Sequence, residues 1–279
     1  MLRGYYAAAS GMLSQQRRTD MLTNNMANAN TPGFKADQSS LRAFPEMLLQ
    51  QMGTTSIPSQ NPQGIPVRNE IGGINSGVYM QEAMPKFSQG DLQETGNQTD
   101  LALVEVVVPT NDETNTKGAL FFTIQNQNGD TRYTRNGNFT IDSQGYITTN
   151  EGYYLLDENA NRIFIESGNF KVASDGTIME NDETVATLNV AFADDPNNLV
   201  KEGNGLFRAN DGVAFGTAID NQEITYNIQQ GFLERSNVDV SQTMTEMMTA
   251  FRAFEANQKI LQAYDKSMDK AVNDIGRLR

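Results

Sequence analysis

Histidine, cysteine and tryptophan are all missing from this 279-residue chain. Without imidazole there is no side chain whose ordinary titration falls near neutral pH, and the commonest general base is excluded. Without thiolate or imidazole there is no disulfide, no thiol nucleophile and no zinc site of the usual ligand types. Apolar runs are short, and none reaches the roughly 18 residues that a bilayer-spanning helix needs. Basic charge is also in deficit: Lys and Arg number 21 against 34 Asp and Glu, a net charge of −13. That field repels phosphates and anionic head groups, so no nucleic-acid partner and no membrane span are expected. What remains is a chain with 38% hydrophobic residues, enough for one or two packed domains.

The acidity is concentrated in the middle. Residues 1–52 and 231–279 are nearly neutral, whereas 53–230 carry nine basic against twenty-four acidic groups. The ends read as helices. From Leu2 to Asn28, apolar positions recur at threes and fours through Tyr5, Ala9, Met12, Leu22 and Met26. Thr31-Pro32-Gly33 stops that run, because the residue before proline is driven out of the α region and Pro-Gly suits a type II turn. At the other end Val240, Met244, Met247, Phe251, Phe254, Gln258, Leu261, Asp265, Met268, Val272 and Ile275 alternate three and four apart, the seam of a coiled coil. The spacing predicts a helix over Ser241 to Ile275, with Ser241 or Thr243 able to cap its start, Thr243 with Glu246 as a capping box, and Gly276 as the stop.

Between the helices, a short amphipathic run at Leu41 to Met52 gives way to Gly, Pro, Ser, Gln and Asn over Gly53 to Gly77, read as linker or extended chain. Strand-like runs follow: Leu101 to Val108, Ala119 to Ile124, Arg132 to Thr134, Phe139 to Ile141, Tyr153 to Leu156 and Arg162 to Ile165. Residues 137–147 echo residues 168–178, with Phe139, Ile141 and Ile147 answered by Phe170, Val172 and Ile178. The expected fold is therefore α+β: long N- and C-terminal helices paired as a coiled-coil-like segment, with a central, mainly-β domain of sandwich or barrel type. Its divisions are 1–52 (helical assembly segment), 53–98 (extended linker and first strands), 99–230 (β-rich outer domain) and 231–279 (helical assembly segment).

Candidate chemistry is thin. Asp194-Asp195 and Asp182-Glu183 are carboxylate pairs of the kind glycoside hydrolysis uses, but their setting among turn residues favours solvated loops. Residues 157–168 open like a calcium loop, yet Arg162 stands at the glycine position and Gly168 at the bidentate glutamate position, which excludes it. No catalytic residue, cofactor or metal ligand is assigned. The seam residues instead point to a surface built for other helices: Tyr5, Met12, Leu22, Met26, Met244, Met247, Phe251, Phe254, Leu261, Met268 and Val272 are the expected subunit-interface set.

Two stretches carry a resemblance. Asn24-Asn25-Met26-Ala27-Asn28-Ala29-Asn30-Thr31-Pro32-Gly33-Phe34-Lys35, with Ala8 to Met12 before it, closely resembles the N-terminal signature of bacterial flagellar basal-body rod and hook proteins. Gly231 to Val240, including Ser236 and Asn237, and Arg252 to Asn257 resemble the C-terminal one; Tyr133 to Phe139 is similar to the central unit of distal-rod and hook members. The chain departs from that pattern at Leu103 to Pro109 and Asp112-Glu113, where such proteins usually carry a glycine-rich segment. It is therefore most like a divergent distal-rod protein. The resemblance implies a structural, self-assembling rod subunit rather than an enzyme, exported unfolded by the flagellar export apparatus without a cleaved leader. It also implies a homo-oligomer contacting neighbouring rod and hook proteins in the basal body. The alternative is a wall-associated glycan-binding or glycan-hydrolysing β module with helical tails.

Overall fold

The computed structural model describes residues 2–56, 64–112, 116–166, 168–210, 212, 214–219 and 221–275. They form an α+β protein that divides into two compact units, each assembled from separate stretches of chain. The first comprises residues 1–24, 38–83 and 241–279, and the second residues 25–37 and 84–240. Among the described residues no helix is long and apolar enough to cross a membrane.

The first unit is built on two helices, α1 (Leu2–Ala27) and α2 (Val240–Lys270), the latter running on into a π-helical turn at Ala271–Ile275. They run antiparallel: Gly4 lies against Tyr264, Gly11 against Asn257, and Arg18 pairs with Glu246 at 3.2 Å. Gly4 and Gly11 are seven residues apart, as are Asn257 and Tyr264, so one heptad step on α1 meets one on α2. A Cβ at Gly11 would stand 3.0 Å from the Asn257 amide nitrogen, and one at Gly4 would overlap the Tyr264 hydroxyl. Glycine costs about 1 kcal/mol relative to alanine inside a helix; here it permits the close approach.

The α2 residues turned inward follow their own 4-3 rhythm: Thr243, Met247, Ala250, Phe254, Asn257, Leu261, Tyr264, Met268 and Ala271 are buried or half-buried. The seam read from the sequence is thereby split. Met247, Phe254, Leu261 and Met268 belong to the inward face, whereas Val240, Met244, Phe251, Gln258, Asp265 and Val272 are exposed. The expected capping box is corrected as well. Since α2 begins at Val240, Thr243 is buried in the first turn and Glu246 serves Arg18 and Gln242.

Against α1 lies a short strand pair, Leu41–Ala43 with Val78–Met80. Ser10 and Ser14 fasten it: the Val78 N–H donates to Ser10 Oγ at 3.3 Å and Ser14 Oγ donates to the Val78 carbonyl at 3.0 Å. The end of the stretch read as an amphipathic run and part of the one read as linker or extended chain make a long ribbon, Met47–Ser56 paired with Gly64–Ile74. Pro66 pairs opposite Thr54 in it, since a ribbon of two edge strands tolerates a residue without a donor. Pro58 and Pro62 lie outside the described residues.

The second unit is mainly β. Its central strand, Ala119–Gln125, is buried along nearly its whole length and pairs with Thr131–Thr134 on one side, and with Val190–Ala193 and Tyr154–Leu155 on the other. Leu206–Ala209 and Leu199–Lys201 extend the sheet past Thr131–Thr134, while Ile147–Thr149 and Phe139–Ile141 extend it past Tyr154–Leu155. Leu101–Val107 pairs separately with Thr225–Gln230, bringing distant chain segments together. The internal echo is real in three dimensions. Ile141 faces Ile147 as Val172 faces Ile178, and Phe139, Ile147, Phe170 and Ile178 all enter one core. The two turns share their hydrogen bonds too: Gly145 and Gly176, at φ +90° and +95°, each donate back to the residue three before. That is a type I turn closed by a left-handed glycine, a common hairpin connection.

Candidate functional site

Three quoted sequence signatures meet inside the second unit. The loop after α1 is closed by Asn25, whose amide donates to the Asp37 carbonyl at 2.8 Å and accepts from the Asp37 N–H at 2.9 Å. Within that loop, the Thr31 hydroxyl and N–H both bond back to Asn28. Gly33 is buried at φ +69°, against the Arg135 backbone, where a Cβ would come within 2.5 Å of a carbonyl. No other residue fits there without backbone movement. Phe34 is buried beneath Lys201, whose ammonium lies 4.3 Å from the ring centroid and bonds Asp37 at 2.9 Å.

The next residue, Lys35, points into a buried charge cluster. Its ammonium donates to Glu234 Oε1 at 2.6 Å and to the Ser88 carbonyl at 2.8 Å. Arg135 donates to Glu234 Oε2 at 2.6 Å and to Glu105 Oε1 at 2.8 Å, and two further N–H groups reach the carbonyls of Leu120 and Leu103. The side chains of Lys35, Arg135, Glu234 and Glu105 are each at most 3% exposed. The two buried cations balance the two carboxylates, the exposed Lys117 ammonium adds a third cation 3.1 Å from Glu105, and backbone groups such as the Gly90 N–H, 2.8 Å from Glu234, occupy further acceptor sites.

Burial alone would push the Glu234 carboxyl up, but Arg135 and Lys35 outweigh it and hold the group below the ordinary glutamate value. For Lys35, burial and the neighbouring Arg135 charge together outweigh the two glutamates, and its ammonium is pushed down.

Asn237 completes the clasp. Its Oδ1 accepts from the Ala36 N–H at 2.7 Å while its amide donates to the carbonyls of Lys86 and Ser88. The Gly33 N–H donates to the Glu234 carbonyl, and Ser236 Oγ accepts from the Val238 N–H. Thus the segment leaving α1 and the segment entering α2 are bound to each other and to the β core by one continuous polar network.

The expected residues are distributed unevenly. Asn25, Gly33 and Asn237 carry the clasp, Asn28 and Thr31 shape its loop, and Pro32 is half-buried in it. Asn24 and Asn30 are exposed; Asn257 faces Gly11 in the helical unit. Of the interface set, Leu22 is buried and Tyr5, Met12 and Met26 are half-buried. Sequence reasoning did not single out the four charged residues of the cluster, because charged side chains are presumed solvated. A usable signal existed: each sits inside a quoted motif or in the departing segment, and Glu105 is the one charge in an otherwise apolar run from Leu101 to Pro109.

The carboxylate pairs considered for hydrolysis have structural occupations. Asp195 caps the short helix Pro196–Asn198, Asp194 is bonded by Asn111, and Asn181 and Asp182 form the turn of the Thr177–Glu180 and Glu183–Thr187 hairpin at φ +53° and +66°. Positive φ at both central residues is the type I′ geometry.

Comparison with known proteins matches three parts of the chain to family models. "Flagella basal body rod protein" covers residues 6–35, "Flagellar hook protein FlgE/F/G D1 domain" residues 116–180, and "Flagellar basal body rod FlgEFG protein C-terminal" residues 229–274. Over its whole length the chain is 48% identical to the flagellar hook-basal body complex protein FlhO of Bacillus subtilis, with 100% of both chains covered. It is 32% identical to the flagellar basal-body rod protein FlgG of the same organism, over 98% of this chain and 99% of the relative. FlgG of Borreliella burgdorferi is 30% identical over 98% of each. These relatives give no support to the glycan-hydrolysing alternative.

Proposed function

Since the chain belongs to the family of flagellar basal-body rod and hook proteins, we propose that it is a structural subunit of the basal-body rod and works mechanically, not as a catalyst. The observation that carries this reading is the full-length match to rod and hook-basal body proteins, whose signatures are the segments that build the clasp. In the proposal, α1 and α2 form a coiled-coil-like pair that packs against copies of itself and against neighbouring rod and hook proteins. Tyr5, Met12, Leu22, Met26, Met244, Met247, Phe251, Phe254, Leu261, Met268 and Val272 supply that helical layer, part inside the pair and part between subunits. Burial of such surface, at about 25 cal/mol per Å², is the source of cohesion in a torque-bearing tube. The clasp hands load from the helices to the β unit, because a polar network with every member satisfied is stiff.

Passage through the flagellar export apparatus without a cleaved leader belongs to the same proposal. It accords with the lack of cysteine, which spares an unfolded traveller wrong bridges. The test is deletion of the gene, followed by motility assay and electron microscopy of isolated basal bodies. Non-motile cells with truncated rods, restored by the intact gene, are expected; motile cells with complete basal bodies would refute the reading.

A further inference from the structure

The β unit carries a patch of aromatic side chains that its core does not use. Side chains alternate in and out along an extended chain. Ile147, Leu155, Ile163 and Ile165 enter the core, whereas Tyr146, Tyr154, Arg162 and Phe164 point the other way. Where a sheet face meets solvent such outward positions are ordinarily polar. Here Tyr146 meets Tyr154 edge to face at 5.8 Å between centroids and Phe164 at 5.5 Å, and the Arg162 guanidinium lies 4.1 Å from the centre of the Tyr154 ring. Phe164 is 46% exposed and both tyrosines are half-buried.

The internal echo shows that the fold does not demand these rings. The hairpin at 168–178 has the same turn and equivalent core residues, with Thr177 where its counterpart has Tyr146. A threonine suffices there, so the ring at 146 answers to something other than the hairpin.

What the patch offers is ring faces and donors. Arg162 Nε is spent on Gln125 Oε1 at 2.9 Å, but its terminal nitrogens and the hydroxyls of Tyr146 and Tyr154 have no hydrogen-bond partner among the described residues. A polyproline II chain has the complementary needs: its carbonyls are unbonded, its prolines have no N–H to satisfy, and their methylenes pack on aromatic faces. At ~3.1 Å per residue, two residues of such a chain advance about as far as one ring lies from the next. A glycan asks for acceptors as much as donors, since each of its hydroxyls is both.

Charge selects the kind of proline-rich chain. Residues 142–166 hold Asp142, Glu151, Asp157, Glu158 and Glu166 against Arg162 alone. None of these carboxylates is in an ion pair among the described residues, whereas Asp130, in the turn beyond Gln125, is paired with Arg132. Asp142 accepts the Tyr146 N–H at 2.9 Å. Arg162, Phe164 and Glu166 follow one another at the two-residue spacing of an extended chain, with guanidinium and carboxylate at opposite ends of the line.

We infer that this patch docks a basic, proline-rich segment of a separate protein, laid over the rings as a polyproline II chain. Its cations face Asp142 and Glu166, and its carbonyls accept from Arg162 and the two phenols. The proline-bearing stretch of this chain itself, residues 57–66, has no charged residue with which to answer the carboxylates. Docking of this kind goes beyond the rod reading and is independent of it.

The test titrates a dye-labelled Lys-Pro-Pro repeat peptide with the full chain and reads fluorescence anisotropy. Saturable binding is expected. Tyr146→Thr, which copies Thr177, and Phe164→Ser should each weaken it about tenfold or more, as truncation of a central interface aromatic does. Tyr146→Thr should keep the native unfolding midpoint, which separates lost docking from lost folding. Glu166→Gln should weaken binding about two- to fivefold at low salt and make it less salt-dependent. Other occupants are tried in parallel: a Lys-Gly-Gly repeat for charge alone, a Ser-Pro-Pro repeat for proline alone, a chito-oligosaccharide for a glycan, and a peptide of residues 57–66 for a second copy of this chain. Any of these binding as tightly as the Lys-Pro-Pro repeat overturns the inference. So does the absence of saturable binding, or a Tyr146→Thr chain that binds like the native one. Such results leave the rod reading untouched, because that is judged by the deletion phenotype.

Discussion

Glu234 is a carboxylate shared by two cations, and its side chain is only 1% exposed. Replacing it by glutamine keeps the shape and removes the charge, leaving Lys35 and Arg135 buried beside each other. Breaking a buried pair in this way costs about 3–5 kcal/mol. Glu234→Gln is therefore expected to lower the unfolding free energy of the β unit, read from urea titration, by that order, while Lys117→Ala, which trims the half-exposed rim of the same cluster, should change it by less than about 1 kcal/mol. The pH dependence has a definite sign. Glu234 is held below its ordinary value in the folded chain, so the folded state binds fewer protons there than the unfolded one. Its stabilisation is complete above roughly pH 4.3, the unfolded glutamate value, and is lost as the pH falls through the lower folded value. Lys35, lowered from 10.5, acts on the alkaline side and adds nothing to this loss. Denaturant midpoints measured from pH 7 to pH 3 should fall more steeply for the native chain than for Glu234→Gln.

At the scale of the helices, the contact between α1 and α2 is set by what is small. Gly4→Leu with Gly11→Leu would force side chains into Tyr264 and Asn257. Amide hydrogen exchange should then show α1 and α2 losing protection while the β unit keeps its own. Phe251→Asp makes the opposite point. Phe251 is 53% exposed in the single chain, so the substitution should leave stability within about 0.5 kcal/mol. In an assembled rod it would bury an unpaired carboxylate, and non-motile cells that still secrete a folded subunit are expected. A motile Phe251→Asp strain would remove this face from the assembly mechanism.

The difference between these two variants also explains how much of the helices could be read from the sequence. Periodicity found both helices and the heptad rhythm of α2, because Met247, Phe254, Leu261 and Met268 are common to both faces. It did not divide the intrachain face from the exposed one, because hydrophobicity weights Met244 and Phe251 above Thr243, Ala250 and Asn257. Closeness of two helix axes rewards small side chains, which carry little hydrophobic signal. The pairing of Met47–Ser56 with Gly64–Ile74 was legible only as extended chain for a related reason, as Gly and Pro ordinarily mark breaks and here sit within strands.

Across the whole molecule, protease should find the two units unequal. Arg17 and Arg252 are exposed on the helices, with Arg18 half-buried beside them, whereas Lys35 and Arg135 are sealed in the clasp. Brief trypsin treatment of dilute protein is expected to cut at Arg17, Arg18 and Arg252 and to leave residues 84–240 as a resistant core that retains Lys35 in contact. Cleavage at Lys35 or Arg135 as fast as at Arg17 would show that the clasp does not hold in solution. The β strands of this core were legible from alternation and turn residues, and Phe139 and Phe170 from the repeat. The clasp was not, because its members are scattered through the chain and only folding places them together.

That scatter governs timing. Glu234 lies 199 residues after Lys35 and 99 after Arg135, and the strand Thr225–Gln230 that covers Leu101–Val107 also comes late. A chain emerging N-terminus first, from a ribosome or from any narrow channel, presents both cations long before their shared carboxylate. Until residue 234 is free, a closed interior would trap two like charges with only Glu105 between them, so premature compaction is penalised at every earlier length. Contacts of such long sequence separation also form slowly. The order of charges along the chain thus acts as a brake on folding, released only when the last strand has arrived.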